Sequence, residues 1–217
     1  MFHPKRYTDT LRAFNRTQWG FKLYHNASDA ASRALLDSLL ATIESSTRSS
    51  ITSLREGSIF HPTEPSEEVR QQLAEFASMF HLDVERLDSA TIDTARALAK
   101  RSTDPMVTDH GAVLLVDEDV LRSVERANRN SESSDWKKRT PWVKVIDVEY
   151  EHENHRGNSR VPRHYWGWMK AAADCMYVLW GDLEAREMFQ LAPGSLDGRM
   201  KKVWDGALGF DDEGEKD

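Results

Sequence analysis

The sequence predicts an α+β fold: a mixed, largely antiparallel sheet of about five strands with helices packed on it, ferredoxin-like or a related two-layer sandwich. Three observations predict it. Short aromatic or β-branched runs recur at 18–25, 79–87, 112–116, 141–150 and 164–170, which suits a pleated, half-buried surface. Between them lie stretches whose apolar residues fall three or four apart, the period of one helix face. Each such face must be buried, and a sheet can bury several at once.

The elements follow in order. "QWGFKLYH" (18–25) sets Phe21 and Leu23 against Lys22 and Tyr24 and reads as a strand. "NASD" supplies side-chain oxygens for the free first-turn N–H groups of a helix. The spacing of Leu35, Leu39 and Ile43 carries that helix to Ser45. "SSTRSSITSLREGSIFHPTEP" is rich in Ser, Thr, Gly and Pro and reads as loop, with a short strand at 51–54. Pro65-Ser66 opens a second helix, with Glu67 and Glu68 at the positive end of its dipole and Val69, Leu73 and Phe76 inward. "MFHLDVERL" (79–87) alternates as a strand does. "DSATIDTARALAKR" caps and begins a third helix, with Ile92, Ala95 and Leu98 inward and Lys100-Arg101 at its negative end. The run from Ala112 to Val116 reads as a central strand, and Asp117 as the cap of a helix bearing Val120, Leu121 and Val124. "NRNSESSDWKKRT" reads as a polar loop. "PWVKVIDVEY" and "HYWGWMK" read as the strands of a long hairpin. "AAADCMYVLWGDLEAREMFQL" reads as helix, with Met176, Leu179, Leu183 and Met188 toward the core. Residues 1–16 are expected to be an extension, 17–204 a single domain, and 205–217 an acidic, disordered tail.

Composition excludes several classes. The chain has 217 residues, 39% hydrophobic and 30% charged, which fits a globular domain with its own core. One cysteine, Cys175, excludes an internal disulfide and a cysteine-based zinc finger. It lies in an apolar run with no histidine beside it and reads as a buried thiol. There is no secretory h-region, and no apolar run approaches the ~20 residues that span a bilayer. The expected location is the cytoplasm, or the nucleus if the tribasic Lys137-Lys138-Arg139 acts as an address. The net charge of −7 disfavours a nucleic-acid coat.

That charge is uneven. From Trp136 to Lys170 eight basic residues face four acidic ones, so the rest of the chain is more acidic still. Within this region, "HENHRGNSRVPRHYWGWMK" (152–170) holds three of the eight histidines. His152, His155 and His164 could converge on a metal with Glu151 or Glu153. The i,i+3 spacing puts ligands on one face only in a helix, and Arg156, Arg160 and Arg163 repel a cation. No metal and no cofactor are therefore expected. The same arginines, with His164, Trp166 and Trp136, are the expected ligand-binding residues, since aromatic faces among cations suit an anionic partner. Trp142 and Trp168 are expected in the core, and Trp136, in the polar loop beside Lys137-Lys138-Arg139, is expected to be exposed.

Other constellations are thinner. Asp109-His110, with His155 and His164, are the candidate acid/base residues. His81-Leu82-Asp83 is half of a facial triad, but the chain lacks the strand density that such oxygenases use. Asp117-Glu118-Asp119 could hold Mg²⁺, although acids at a helix start also cap N–H groups without any ligand. Walker, dinucleotide-glycine, Cys-x-x-Cys, His-Glu-x-x-His and Gly-x-Ser-x-Gly signatures are absent.

"WGFKLY" (19–24), "DHGAVLLVDEDVLRS" (109–123), "PWVKVIDVEY" (141–150) and "GWMK" (167–170) together resemble a large group of uncharacterised proteins of filamentous fungi. His25 stands where that group commonly has a basic residue after the first-strand tyrosine. The resemblance implies a fungal intracellular protein and one domain; it carries no activity and no site residue. The expected function is a binding or interaction protein using the basic, aromatic face at about 150–168 for an anionic partner or small ligand. A small-molecule enzyme of secondary or stress metabolism with acid/base histidines is the first alternative. Single-stranded nucleic-acid binding is the second.

Overall fold

A computed structural model describes residues 17–58, 61–155, 165–193, 201–207 and 209–212. The expected extension (1–16), Arg156, Arg160, Arg163 and His164 lie outside the described residues, as does the His155 side chain. Among the described residues the fold is α+β, built on a mixed sheet of seven strands in the order β4-β1-β5-β6-β7-β8-β9. The sheet is larger than the five strands expected, and its parallel and antiparallel pairs are equal in number.

Strand β1 (Trp19–His25) is buried along nearly its whole length and lies parallel to both β4 (Phe80–Arg86) and β5 (Ala112–Val116). The path from β1 to β4 runs through helix α1 (Ala30–Thr52), the small β2–β3 hairpin (Glu56–Ser58, His61–Thr63) and helix α2 (Glu67–Ser78). The path from β4 to β5 runs the other way across the sheet, through α3 (Ile92–Ala99) and the single turn α4 (Pro105–Thr108). Right-handed crossovers in opposite directions fall on opposite faces. Accordingly, Leu36, Leu39, Ile43, Leu73 and Phe76 join the large core on one face, and Ala95, Ala99 and Val107 join a smaller one on the other. Gly20 makes the β1–β4 approach possible: its φ is +146°, and a Cβ there would meet the His81 carbonyl oxygen at 1.9 Å.

After β5, helix α5 (Glu118–Arg129) returns over the large core, and the turn α6 (Trp136–Arg139) leads into β6 (Trp142–Asp147). β6 is antiparallel to β5 and to β7 (Trp168–Ala172), as the hairpin reading expects. A 3-10 turn and helices α7 (Met176–Leu183) and α8 (Met188–Leu191) follow. β8 (Lys202–Trp204) and β9 (Phe210–Asp211) close the sheet.

Six local expectations are corrected. α1 does not stop at Ser45, and no strand forms at 51–54: Thr47 and Ile51 continue the buried stripe to Thr52. Ser45 and Thr52 there donate their hydroxyls to carbonyls three and four residues back, which satisfies them inside the helix. Leu98 is exposed, and Ala99 takes the inward place. The polar loop contains α6, capped by Asp135. The segment expected as one long helix is split: Ala171 and Ala172 belong to β7, a 3-10 turn follows, and residues 184–187 break the helix. The tail is not wholly loose: Phe210–Asp211 pair with β8, and the Asp212 side chain is buried.

Candidate functional site

The two ends of the sheet differ. At the carboxyl ends of β1 and β5, where crossovers diverge, open sheets commonly bind ligands. Here Asp29 caps α1 and Asp117 caps α5. Lys144 of β6 pairs with both Asp117 and, at 3.0 Å, Asp119. Burial would raise Asp119, but Lys144 and Arg122 outweigh it and hold the carboxyl below its ordinary range. The acidic triplet thus serves as helix cap and ion pair, not as a convergent metal cage.

The lysine has a counterpart. Lys144 and Lys170 are direct partners across the β6–β7 ladder, so both side chains leave the same face. Each strand carries Trp-x-Lys, and antiparallel pairing crosses the two copies. Lys144 lies 5.5 Å from the Trp168 ring and Lys170 lies 4.6 Å from the Trp142 ring. Like charges opposite each other are unfavourable alone; carboxylates offset them. Asp212 accepts from Lys170 at 2.9 Å and from Arg126 of α5 at 2.7 Å. Trp142 is buried as expected, whereas Trp168 is half-buried at the edge of the smaller core.

At the other end of the ladder the chain opens. Gly167 enters β7 with φ +73°, and a Cβ there would lie 2.2 Å from the Tyr150 ring. Arg96 of α3 passes against that ring, 5.2 Å from its centroid. Its Nε donates to the Asp147 carbonyl at 2.9 Å and its Nη2 to the Gly167 carbonyl at 2.8 Å, which ties both strands of the hairpin root to α3. The Tyr165 hydroxyl donates to the Asp147 carboxylate at 2.8 Å. Burial, reinforced by the Asp147 charge, pushes that phenol far above its ordinary range and keeps it protonated.

Tyr150 Oη lies 3.3 Å from the Tyr165 carbonyl and 3.0 Å from His152 Nδ1. A phenol has one proton, so both contacts are satisfied together when Tyr150 donates to the carbonyl and His152 Nδ1–H donates to Tyr150. That tautomer leaves His152 Nε2 as an acceptor. The imidazole faces Trp166 at 6.1 Å with 24° between planes. Trp166 is 37% exposed, so the root presents an aromatic shelf to solvent.

Two clefts lie at this same end. One, of about 260 Å³, is walled by Trp19, Gly20, Asp104, Asp109, His110 and Trp180. The other, of about 1120 Å³, is walled by Lys100, Asp109, His110, Asp147, Glu149 and the segment 183–190. Asp109 and His110 are common to both, and the His110 ring stands edge-on to Trp180 at 5.2 Å. His152 lines neither cleft, so it does not meet Asp109 and His110 there.

Among the described residues no group of three His, Cys, Asp or Glu side chains could hold a metal ion. Asp83 of the His81-Leu82-Asp83 pair is taken by Lys22 at 2.7 Å. Cys175 is half-buried, and burial with Asp174 beside it pushes its thiol up to about 12, far from a thiolate. Trp136 is exposed as expected and stands on Phe210 at 5.2 Å, away from the hairpin root.

Sequence reasoning missed Arg96, Tyr150, Tyr165, Lys144, Lys170 and Asp212. The repeated Trp-x-Lys was a usable signal for the lysines. Arg96 had none, since at its position it reads as an ordinary basic residue near a helix end. Among the described residues no helix is long and apolar enough to cross a membrane. No protein-family model, no curated protein and no solved structure matches the chain.

Proposed function

We propose that the protein is a binding protein that takes an anionic ligand bearing a flat ring at the root of the β6–β7 hairpin. The observation that supports this most is the solvent-facing shelf of Trp166 and His152, held by Tyr150 above Arg96. Such a surface is ready to stack a ring, and its ordering does not await the ligand. Arg156, Arg160, Arg163 and His164 follow in the chain and are the proposed source of positive charge. Cytoplasmic or nuclear location and kinship with the filamentous-fungal group belong to the same proposal.

The test is a titration with adenosine 5′-monophosphate, followed by tryptophan fluorescence at two salt concentrations. Saturable quenching is expected, and Trp166→Ala should weaken it about tenfold, the scale of one stacked ring. Reversing Arg156, Arg160 and Arg163 to Glu should weaken it further and flatten the salt dependence. No saturable response from this probe or from a single-stranded oligothymidine, or equal affinity in both variants, would sink the reading.

The shared wall of the two clefts favours a second reading, a small-molecule enzyme with His110 as proton carrier and Asp109 beside it. It expects a metabolite in a cell extract to be consumed by the protein and spared by His110→Gln. An extract unchanged by the intact protein counts against it.

A further inference from the structure

We propose that the β8 edge, Lys170, Arg126 and Trp136 form a docking site for an acidic peptide strand, and that the chain's own Phe210-Asp211-Asp212 strap fills it. The strap shows what fits. Its backbone extends the sheet through two register pairs, Lys202 with Asp211 and Val203 with Phe210. The Asp212 N–H donates to the Lys201 carbonyl at 2.7 Å. The Phe210 ring stands edge-on to Trp136, which is 41% exposed. The carboxylate of Asp212, 3% exposed, is divided between two cations from different elements: one oxygen on Arg126 of α5, the other on Lys170 of β7.

This is strand addition with two side-chain receptacles, one aromatic and one cationic, the usual means by which a sheet edge recognises an extended peptide. The surroundings suit an acidic partner, because Lys137, Lys138 and Arg139 follow Trp136 on α6. The attachment is slight compared with the inner strands: β9 has two residues, while β6 and β7 share five pairs. Between β8 and β9 the turn relies on Asp205, whose carboxylate accepts from Ala207 N at 3.0 Å and Gly209 N at 2.8 Å. A strap tethered by so short a turn competes at an effective concentration of millimolar order or more. An outside strand of aromatic–acidic sequence therefore binds once the strap is weakened. This site is separate from the hairpin root, so the two proposals stand or fall independently.

The experiment uses the full chain and a fluorescein-labelled, C-terminally amidated peptide, GALGFDD, read by anisotropy. Two variants weaken the strap and leave the site intact: Phe210→Ala and Asp212→Asn. A folded variant is expected to bind the peptide about tenfold more tightly than the unaltered chain. The gain should vanish with the peptide GALGADN, and again when Lys170→Gln is added. Folded variants that show no gain, or a gain indifferent to Lys170, overturn the proposal. Loss of the circular-dichroism signature of folding in both variants also overturns it, since the strap is then an integral strand and not a displaceable occupant.

Discussion

Lys144 and Lys170, in the β6–β7 ladder, are buried against tryptophan and matched by carboxylates from α5 and the strap. At the hairpin root, Arg96 is matched by two backbone carbonyls, while His152 and Trp166 face solvent. The two regions draw on the same residue types, Trp with a cation, and use them for different ends. Where the cation is buried, its charge must be neutralised inside the protein, by Asp117 and Asp119 for Lys144 and by the strap's Asp212 for Lys170. Where the cation is spent on carbonyls, the neighbouring Trp166 ring stays 37% exposed. The difference teaches that a basic, aromatic segment is not one unit: one part is covered by carboxylates and packing, and the other keeps an aromatic ring at the surface, where the proposed ligand would stack.

The largest expected effect would break the lysine junction. Asp117→Ala removes the α5 cap and one partner of Lys144, whose side chain is 8% exposed. A loss of about 3 kcal/mol in urea unfolding is expected, from the cap and the poorly compensated ammonium together. Adding Lys144→Met should return about 2 kcal/mol, because an apolar group in place of a buried ion needs no partner. If it returns nothing, the lysine is not paired in the way described.

Next comes the root. Arg96→Ala leaves two carbonyls without their donor and should cost about 2 kcal/mol, less than the loss at Asp117. Arg96→Lys should recover little, since an ammonium does not present two donors in a fixed fork. A larger loss at Arg96 than at Asp117 would reverse the comparison.

Alkaline titration sharpens it in another way. The Tyr165 phenol is held protonated in the folded chain by burial and by Asp147, whereas the unfolded chain ionises near its ordinary value of 10.0. The unfolded state then binds fewer protons, so stability is complete below pH 10 and declines as pH rises above it. Tyr165→Phe should flatten that decline; an unchanged slope would assign it elsewhere.

The smallest effect is the most telling. Trp166→Ala should change stability by no more than about 0.5 kcal/mol, because the ring is largely outside the core. A loss several times larger would make Trp166 a structural residue and remove the shelf.

Much of the fold was legible beforehand. The 3.6-residue stripe of α5, its Asp117 cap and the continuous apolar run of β5 are local properties that the tertiary structure reproduces. The β6–β7 hairpin was equally visible, because alternation and a polar connection are short-range signals. The full length of α1 was not, since a Ser/Thr-rich run has low helix propensity and stays helical only where Thr47 and Ile51 find a core. Trp166 and Trp168 share strand parity in sequence, yet the strand begins at Trp168, and Trp166 falls outside it.

By itself the sequence determined the class of fold, the order of most elements, the exposure of Trp136 and the absence of the common enzyme signatures. The tertiary structure alone decided which charges meet. Lys144 finds Asp117 across 27 positions and Lys170 finds Asp212 across 42. Arg96 reaches Gly167 across 71. The physical reason is that periodicity reports on the face a residue presents, while an ion pair or a clamp depends on how crossovers bring distant elements together, and no local pattern encodes that distance.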